Sequence, residues 1–155
     1  MFTRNSILVL SLTPLISCGG GKGSVNELEG TWISNCYLDS VNNDGNYIVS
    51  EISYQGSLSN HYYKVYGDVS CETLIYPGDT SVTYSLGDPI ITGSGLNAIE
   101  LNYSFSYEID DQVIEGNTYT IISISDNTYY TALSPSRDLA SRPTELDFNK
   151  IFTRQ

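Results

Sequence analysis

Hydrophobic and polar residues alternate most regularly over residues 97–110. The apolar positions in this segment are Ile99, Leu101, Tyr103, Phe105, Tyr107 and Ile109, and one polar residue separates each from the next. Successive side chains of a strand point to opposite faces. The period of two therefore predicts a strand with one apolar face and one solvated face.

Seven further segments are rich in Tyr, Ile, Val, Thr and Ser, although their alternation is shorter or less regular. β-Branched and aromatic residues favour strands, so we predict strands over residues 31–38, 46–54, 57–67, 80–86, 117–124, 127–133 and 146–153. The clusters between them are typical of turns; they include Asp44-Gly45, Gln55-Gly56, Pro77-Gly78-Asp79, Gly87-Asp88-Pro89, Gly93-Ser94-Gly95 and Asp126-Asn127.

A helix is predicted at one place in this region. Ser134-Pro135 offers a helix start before residues 136–142, and Pro143 limits the helix to about two turns. Short consecutive strands with tight turns favour an all-β antiparallel meander, and closing eight strands into a barrel removes the exposed sheet edges. A two-sheet β-sandwich produces similar signals and stays as the alternative.

The single Trp distinguishes the barrel from the sandwich. It lies in Gly30-Thr31-Trp32 at the start of the first predicted strand, and this opening resembles that of lipocalins and related calycin β-barrels. The resemblance implies an eight-stranded lipocalin-like barrel over residues 28–155. It also implies that Trp32 closes one end of the barrel beneath a cation from the last strand. Arg154 is the residue in that place.

The first residues have the form of a secretory signal peptide, with Arg4 ahead of an apolar run over residues 7–16. That run is about half of the 20 residues that a membrane-spanning helix needs. Leu15-Ile16-Ser17-Cys18 resembles the lipobox of bacterial lipoproteins, which implies cleavage after residue 17 and acylation of Cys18. Ordinary secretion with a free Cys18 is the alternative.

These segments predict a signal peptide over residues 1–17, a lipidated Cys18 with a Gly-rich tether over residues 18–27, and one barrel domain over residues 28–155. Several acyl chains anchor a protein stably without a membrane span. In the bacterial lipoproteins that this segment resembles, Asp after the acylated Cys is a signal for retention in the inner membrane. Gly19 stands in that place, so the resemblance implies sorting to the outer membrane of a bacterial envelope, facing the periplasm or the cell surface. We expect a monomer.

The three cysteines fit this location. If Cys18 is acylated, Cys36 and Cys71 remain as a pair, and a disulfide persists in an oxidising compartment. We therefore predict a Cys36–Cys71 disulfide. A metal site built from the two thiols and His61 is the alternative, but its spacing lacks the close pairs of zinc sites. We predict no metal and no cofactor.

Charge and motifs narrow the classes of function. The chain has 18 acidic and 7 basic residues, a formal charge of -11 that offers no basic surface to nucleic acid. The sole imidazole, His61, has no nucleophile motif with it, and we expect it to be a solvated or hydrogen-bonded surface residue. No pair of carboxylates has a sequence context that indicates acid–base catalysis. The sequence therefore predicts a protein that is not an enzyme.

Thirteen tyrosines are the strongest oddity of composition. Rings inside a small barrel fill it, whereas rings outside can contact a sugar or a protein. Two functions follow. The first is a lipid-anchored module that binds a small apolar or amphipathic ligand in the barrel. The second is a surface-acting interaction or inhibitor protein that binds an envelope protein or glycan.

Overall fold

The structure is a computed structural model that describes residues 25–39, 44–109 and 111–155. A one-turn helix, α1 (Val25–Leu28), precedes the strands, which form one antiparallel sheet. The strands are β1 (Gly30–Ser34), β2 (Tyr37–Leu38), β3 (Tyr47–Gln55), β4 (Leu58–Tyr66), β5 (Leu74–Ile91), β6 (Asn97–Ile109), β7 (Gln112–Ser125), β8 (Thr128–Thr131) and β9 (Asp147–Arg154). The signal peptide, the lipobox with Cys18 and most of the predicted tether lie outside the described residues.

The sheet closes into an eight-stranded barrel, as the meander prediction requires. Each strand from β3 to β9 pairs with the next, and β1 pairs with both β3 and β9. The short β2 continues along β3 after a break at Asn35 and Cys36, so β1 and β2 occupy one position in the wall. Every strand of the wall lies between Gly30 and Arg154. Because the strands form one closed sheet, the β-sandwich alternative is wrong.

Inward side chains fill one end of the barrel. The buried cluster there contains Leu28, Trp32, Ile52, Tyr54, Tyr84, Leu101, Ile122, Tyr129 and Phe152. Trp32 packs edge-on against Tyr129, which stacks on Phe152 with ring centroids 4.5 Å apart. Tyrosines thus fill this end, and the apolar face predicted for residues 97–110 points into the barrel at Leu101.

A second, smaller cluster lies outside the wall. Ile121 of β7 and Ala98 of β6 pack with Ala132 and Leu146, which flank the long connection between β8 and β9. Arg142 ties that connection to β6 and β7: its side chain pairs with Glu100 at 3.3 Å and donates a hydrogen bond to the Thr120 carbonyl at 2.8 Å. The helix predicted over residues 136–142 is wrong, because only a 3-10 turn over Leu139–Ser141 forms.

The central strand β5 is far longer than the predicted 80–86. Both Pro77-Gly78-Asp79 and Gly87-Asp88-Pro89 lie inside it, so these two turn predictions are wrong. Gly78 faces the Tyr63 ring so closely that a Cβ atom there would lie 2.3 Å from Tyr63 Cζ. Gly87-Asp88-Pro89 forms a bulge, where the β5–β6 register shifts between Leu86 and Pro89. In β5, glycine marks close packing and a bulge instead of chain reversal.

The Cys36–Cys71 disulfide is present and joins the β1–β2 break to the β4–β5 loop, with the two Cα atoms 6.1 Å apart. The loop is organised around Asp68, whose carboxylate accepts hydrogen bonds from the backbone N–H groups of Ser70, Glu72 and Thr73. A hydrogen bond from the Ser70 hydroxyl, together with these backbone bonds, holds the pKa of Asp68 well below its usual range. Cys71 adopts a left-handed backbone conformation, with φ of 55°.

Candidate functional site

A cavity of about 610 Å³ occupies the half of the barrel that the aromatic cluster leaves unfilled. Its volume is within the range of about 300–1,000 Å³ that is typical of small-molecule sites. The floor is apolar and consists of Ile52, Tyr103, Ile122, Tyr129 and Phe152. The walls add hydroxyl groups, including those of Ser50, Thr118 and Thr131. The cavity is therefore amphipathic, with its apolar part deepest.

The floor is held by a pair of tyrosines. The hydroxyl groups of Tyr54 and Tyr103 are 2.6 Å apart, which links the core residue Tyr54 to the cavity residue Tyr103. Burial raises the pKa of both phenols well above its usual value, so both stay protonated. The floor thus presents neutral rings whose polar tips are already bonded to each other.

His61 lines this cavity from β4, so the expectation of a surface imidazole is wrong, although its expected hydrogen bond exists. His61 Nε2 and Ser59 Oγ are 2.8 Å apart, and the imidazole meets the Tyr103 ring edge-on at 5.3 Å. Burial and the positive charge of Lys150 lower the pKa of His61 to about 4. The imidazole is therefore neutral at physiological pH.

Two cations also line the cavity. The Lys150 ammonium on β9 lies 4.7 Å from the centre of the Tyr37 ring and 5.6 Å from that of Phe152. The Arg137 guanidinium, from the β8–β9 connection, lies 5.9 Å from the Phe105 ring at the exposed end of the cavity. No Asp or Glu is among the described residues that line it.

The wall has a lateral gap beside the cavity. The β5–β6 pairing extends from Ile91 and Asn97 only as far as Thr83 and Ser104. Beyond that point residues 74–82 pair with β4 alone, and residues 105–109 pair with β7 alone. A groove of about 450 Å³ lies in this gap, and Val82, Phe105 and Ser106 line both the groove and the cavity. The gap is thus a side entrance to the cavity.

The free end of the β6–β7 hairpin, which we call the arm (residues 105–109 and 111–117), carries exposed apolar side chains. Tyr107, Ile109 and Val113 are 48%, 51% and 65% exposed. The apolar alternation of β6 therefore continues past the buried part of the wall, where no facing strand covers it. Glu108 and Glu115 are also exposed on the arm.

At the opposite end of the barrel, Arg154 of β9 lies over Trp32 of β1. The Arg154 guanidinium lies 4.3 Å from the centre of the Trp32 ring. It also donates hydrogen bonds to the carbonyl oxygens of Glu29, at 2.6 Å, and Glu27, at 2.5 Å. Trp32 Nε1 donates to the Leu28 carbonyl at 2.8 Å. The helix α1 and the Arg154 guanidinium together cover the filled end.

In the part of the chain that the structure describes, no three His, Cys, Asp or Glu side chains are grouped so that they could hold a metal ion. No helix in that part is long and apolar enough to cross a bilayer.

Sequence reasoning missed the two cavity cations, Arg137 and Lys150. For Lys150 a signal was present, since it lies two residues before Phe152 and four before Arg154 on one strand and therefore shares their inward face. For Arg137 the sequence holds no such signal, because it lies in an irregular connection. The sequence also did not predict that His61 faces the barrel interior, because it does not show which side of β4 points inward.

No protein-family model matches the chain, and no curated protein matches it in sequence. The fold itself, an eight-stranded antiparallel closed barrel, is consistent with a lipocalin-like architecture. A small barrel of this kind is compatible with a binding module.

Proposed function

We propose that the protein is a non-catalytic binding module of the bacterial cell envelope that holds one small amphipathic ligand in the barrel cavity. The observation that carries the proposal is the cavity itself, with its apolar floor, hydroxyl-lined walls and side entrance. Eight-stranded barrels are just wide enough either to be filled by side chains or to hold one small ligand. Here the aromatic cluster fills only one half.

The location rests on the N-terminal sequence and on the disulfide. The lipobox resemblance supports acylation of Cys18, and the Cys36–Cys71 disulfide supports an oxidising compartment. The chain enters the wall at Gly30, beside Trp32 and Arg154 at the filled end. An anchor at Cys18 would therefore be joined to the barrel at its filled end.

A fluorescent probe tests the proposed cavity. The neutral apolar dye N-phenyl-1-naphthylamine should bind one-to-one to the chain from Gly19 onward, which contains every strand of the barrel. Thr118→Trp, which places a large ring in the cavity wall, should abolish binding, and Thr80→Trp across the cavity should weaken it. The matched control Thr153→Trp lies exposed on β9, outside the cavity, and should bind normally. Equal binding by all variants, or no binding by the wild type, would refute the proposal.

The alternative of a surface-acting interaction or inhibitor protein is favoured by one observation, the arm. Its exposed apolar side chains and unpaired strand edges are features of protein-binding surfaces. The acidic surface suits a basic partner. If this function is the right one, Ile109→Asp should release a basic envelope partner that the wild type captures at low salt, while dye binding in the cavity should not change.

A further inference from the structure

The charges of this protein are distributed unevenly between its cavity and its surface. The chain as a whole is strongly acidic, with a formal charge of -11. Yet Lys150 and Arg137 line the cavity, and no side-chain carboxylate of the described residues does. If charged residues were placed at random in so acidic a chain, carboxylates would outnumber cations in the cavity. The cavity therefore has a positive interior inside a negative shell.

Lys150 has no counter-ion in the described part of the chain. It forms no ion pair there. Its ammonium lies over the faces of Tyr37 and Phe152, and Asp39 and Asp147 line a smaller recess with it. Such cation–π contacts contribute about 0.5–2 kcal/mol, but they do not neutralise the charge. A half-buried cation without a counter-ion is poorly solvated, and this raises its affinity for an anion.

The pKa of His61 is affected by the same positive charge. This pKa is lowered to about 4 by burial first and by the Lys150 charge second. The charged or titratable groups around it are Lys150 from β9, Tyr103 from β6, Tyr37 from β2, and Asp39, Tyr63 and Tyr76, which line an adjoining recess with His61. Asp39 is buried and has other contacts of its own. At neutral pH the charge facing the main cavity therefore comes from Lys150 and Arg137.

The cations lie beside the apolar floor, so the cavity fits a ligand that has an apolar part and a polar head. Phe152 is two residues from Lys150 on the same face of β9, and Ile52 and Ile122 complete the apolar floor beside it. Thr131 and Ser50 supply hydroxyl donors in the same cavity. A ligand can therefore place an apolar body on the floor while its head meets an ammonium and hydroxyl groups.

We propose that the cavity ligand is a monoanionic amphipath, an aliphatic or aromatic carboxylic acid, whose carboxylate is held by Lys150 with Arg137 at the mouth. This inference rests on the proposed cavity function and narrows it to one ligand class. A single ammonium with hydroxyl donors matches one negative charge, and the N–H to carboxylate contact is charge-assisted. The acidic exterior repels free acids from the surface and leaves the cavity as the favourable place for them.

Paired probes test the proposal by titration calorimetry with the chain from Gly19 onward. Dodecanoate and dodecan-1-ol have the same alkyl chain and differ in head-group charge. The acid should bind at least about tenfold more tightly than the alcohol, the ratio expected for one charge-assisted contact. Lys150→Met keeps the length and apolar stem of the side chain. It should weaken dodecanoate binding about tenfold and dodecanol binding by much less.

Lys64→Met is the matched control, since Lys64 lies on the outer face of β4 near Tyr62 and not in the cavity. It should change neither affinity. Equal affinities for acid and alcohol, or an equal loss of both in Lys150→Met, would refute the carboxylate site and leave the proposed cavity function standing. If neither probe binds the wild type, the cavity function itself is refuted, and this inference with it.

The single imidazole provides a second measurement. In an NMR pH titration, dodecane-1-sulfonate, whose head group stays ionised through pH 4, should raise the pKa of His61 by about half a unit or more, because its negative charge offsets the Lys150 charge. Dodecanol, which adds only apolar burial, should leave this pKa unchanged or lower it. An anion bound away from Lys150 would leave the His61 titration the same with both probes, and this would overturn the assignment even if dodecanoate binds more tightly than dodecanol.

Discussion

The phenolic oxygens in the filled half of the barrel differ in their hydrogen bonding. Tyr54 and Tyr103 bond to each other at 2.6 Å. Tyr84 is 6% exposed and packs edge-on against Tyr54, yet in the described structure its hydroxyl has no hydrogen-bond partner. A buried hydroxyl without a partner costs about 1–3 kcal/mol. The same residue type thus has opposite effects on stability at neighbouring positions.

Exchanging these tyrosines for phenylalanine checks that difference. Tyr84→Phe removes the unpaired hydroxyl and should raise the free energy of unfolding by up to about 1 kcal/mol. Tyr54→Phe is the matched comparison: it leaves the Tyr103 hydroxyl without its partner and should lower stability by about 1–2 kcal/mol. Urea unfolding measures both. A Tyr84→Phe protein less stable than Tyr54→Phe would contradict this account.

His61 makes stability depend on pH. Its folded-state pKa of about 4 is below the ordinary value of 6.5, so below pH 6.5 the unfolded chain binds the proton more readily than the folded barrel does. The stabilising effect is complete above pH 6.5 and is lost as the pH falls from 6.5 to about 4. The loss approaches about 3 kcal/mol at the acid limit.

A comparison with His61→Gln isolates this contribution from that of the carboxylates. Urea unfolding of both proteins at several pH values should show a difference in stability that shrinks as the pH falls through this window and is constant above it. A pH-independent difference between the two proteins would mean that His61 titrates normally in the folded state.

At the scale of the elements, the sequence predicted which segments form strands better than where those strands end. All eight strand segments appear as strands, because period-two patterning and turn residues act locally. The failures lie where tertiary contacts decide the conformation. Pro77-Gly78-Asp79 reads as a turn, but Gly78 is needed because the Tyr63 ring lies over it. The stretch around Pro77 has no strand on its β6 side, and such an edge tolerates a residue without an N–H.

The disulfide should stabilise the open half of the barrel. Cys36 and Cys71 are separated by 35 residues, and closing a loop of this size contributes about 3.5–4 kcal/mol in the chain-entropy model. Reduction should therefore lower Tm by about 10 °C or more. Calorimetry with and without reductant measures the change, and the Cys36→Ser, Cys71→Ser double variant should reproduce it without further sensitivity to reductant. An unchanged Tm would contradict the bridge.

Closure of the filled end by Arg154 is a separate test. Arg154→Ala loses a cation–π contact with Trp32 and two hydrogen bonds to carbonyl oxygens, and it should lower the free energy of unfolding by about 1–2 kcal/mol. Lys64→Ala, on the surface near Tyr62, should change stability by less than about 0.5 kcal/mol. If the two variants are equally stable, Arg154 does not act as the closing residue.

For the whole molecule, the sequence predicted closure of the sheet but not what the barrel encloses. Which side chains face the barrel interior depends on the strand register around the complete wall, including the break at Asn35 and Cys36 between β1 and β2. No local sequence pattern reveals that register. The cavity arises because the large inward rings concentrate at one end, near Trp32, while hydroxyl residues line the other. Its positive interior was equally hidden in a sequence with a strongly negative total charge.

Native mass spectrometry of the protein tests the central claim, a barrel that holds one small ligand, most directly. The chain is purified without denaturation from its own envelope extract, alongside the Thr118→Trp and Thr153→Trp variants. We predict a one-to-one adduct on the wild type and on Thr153→Trp, and a bare mass for Thr118→Trp. A bare wild-type protein, or the same adduct on all three, would contradict the account.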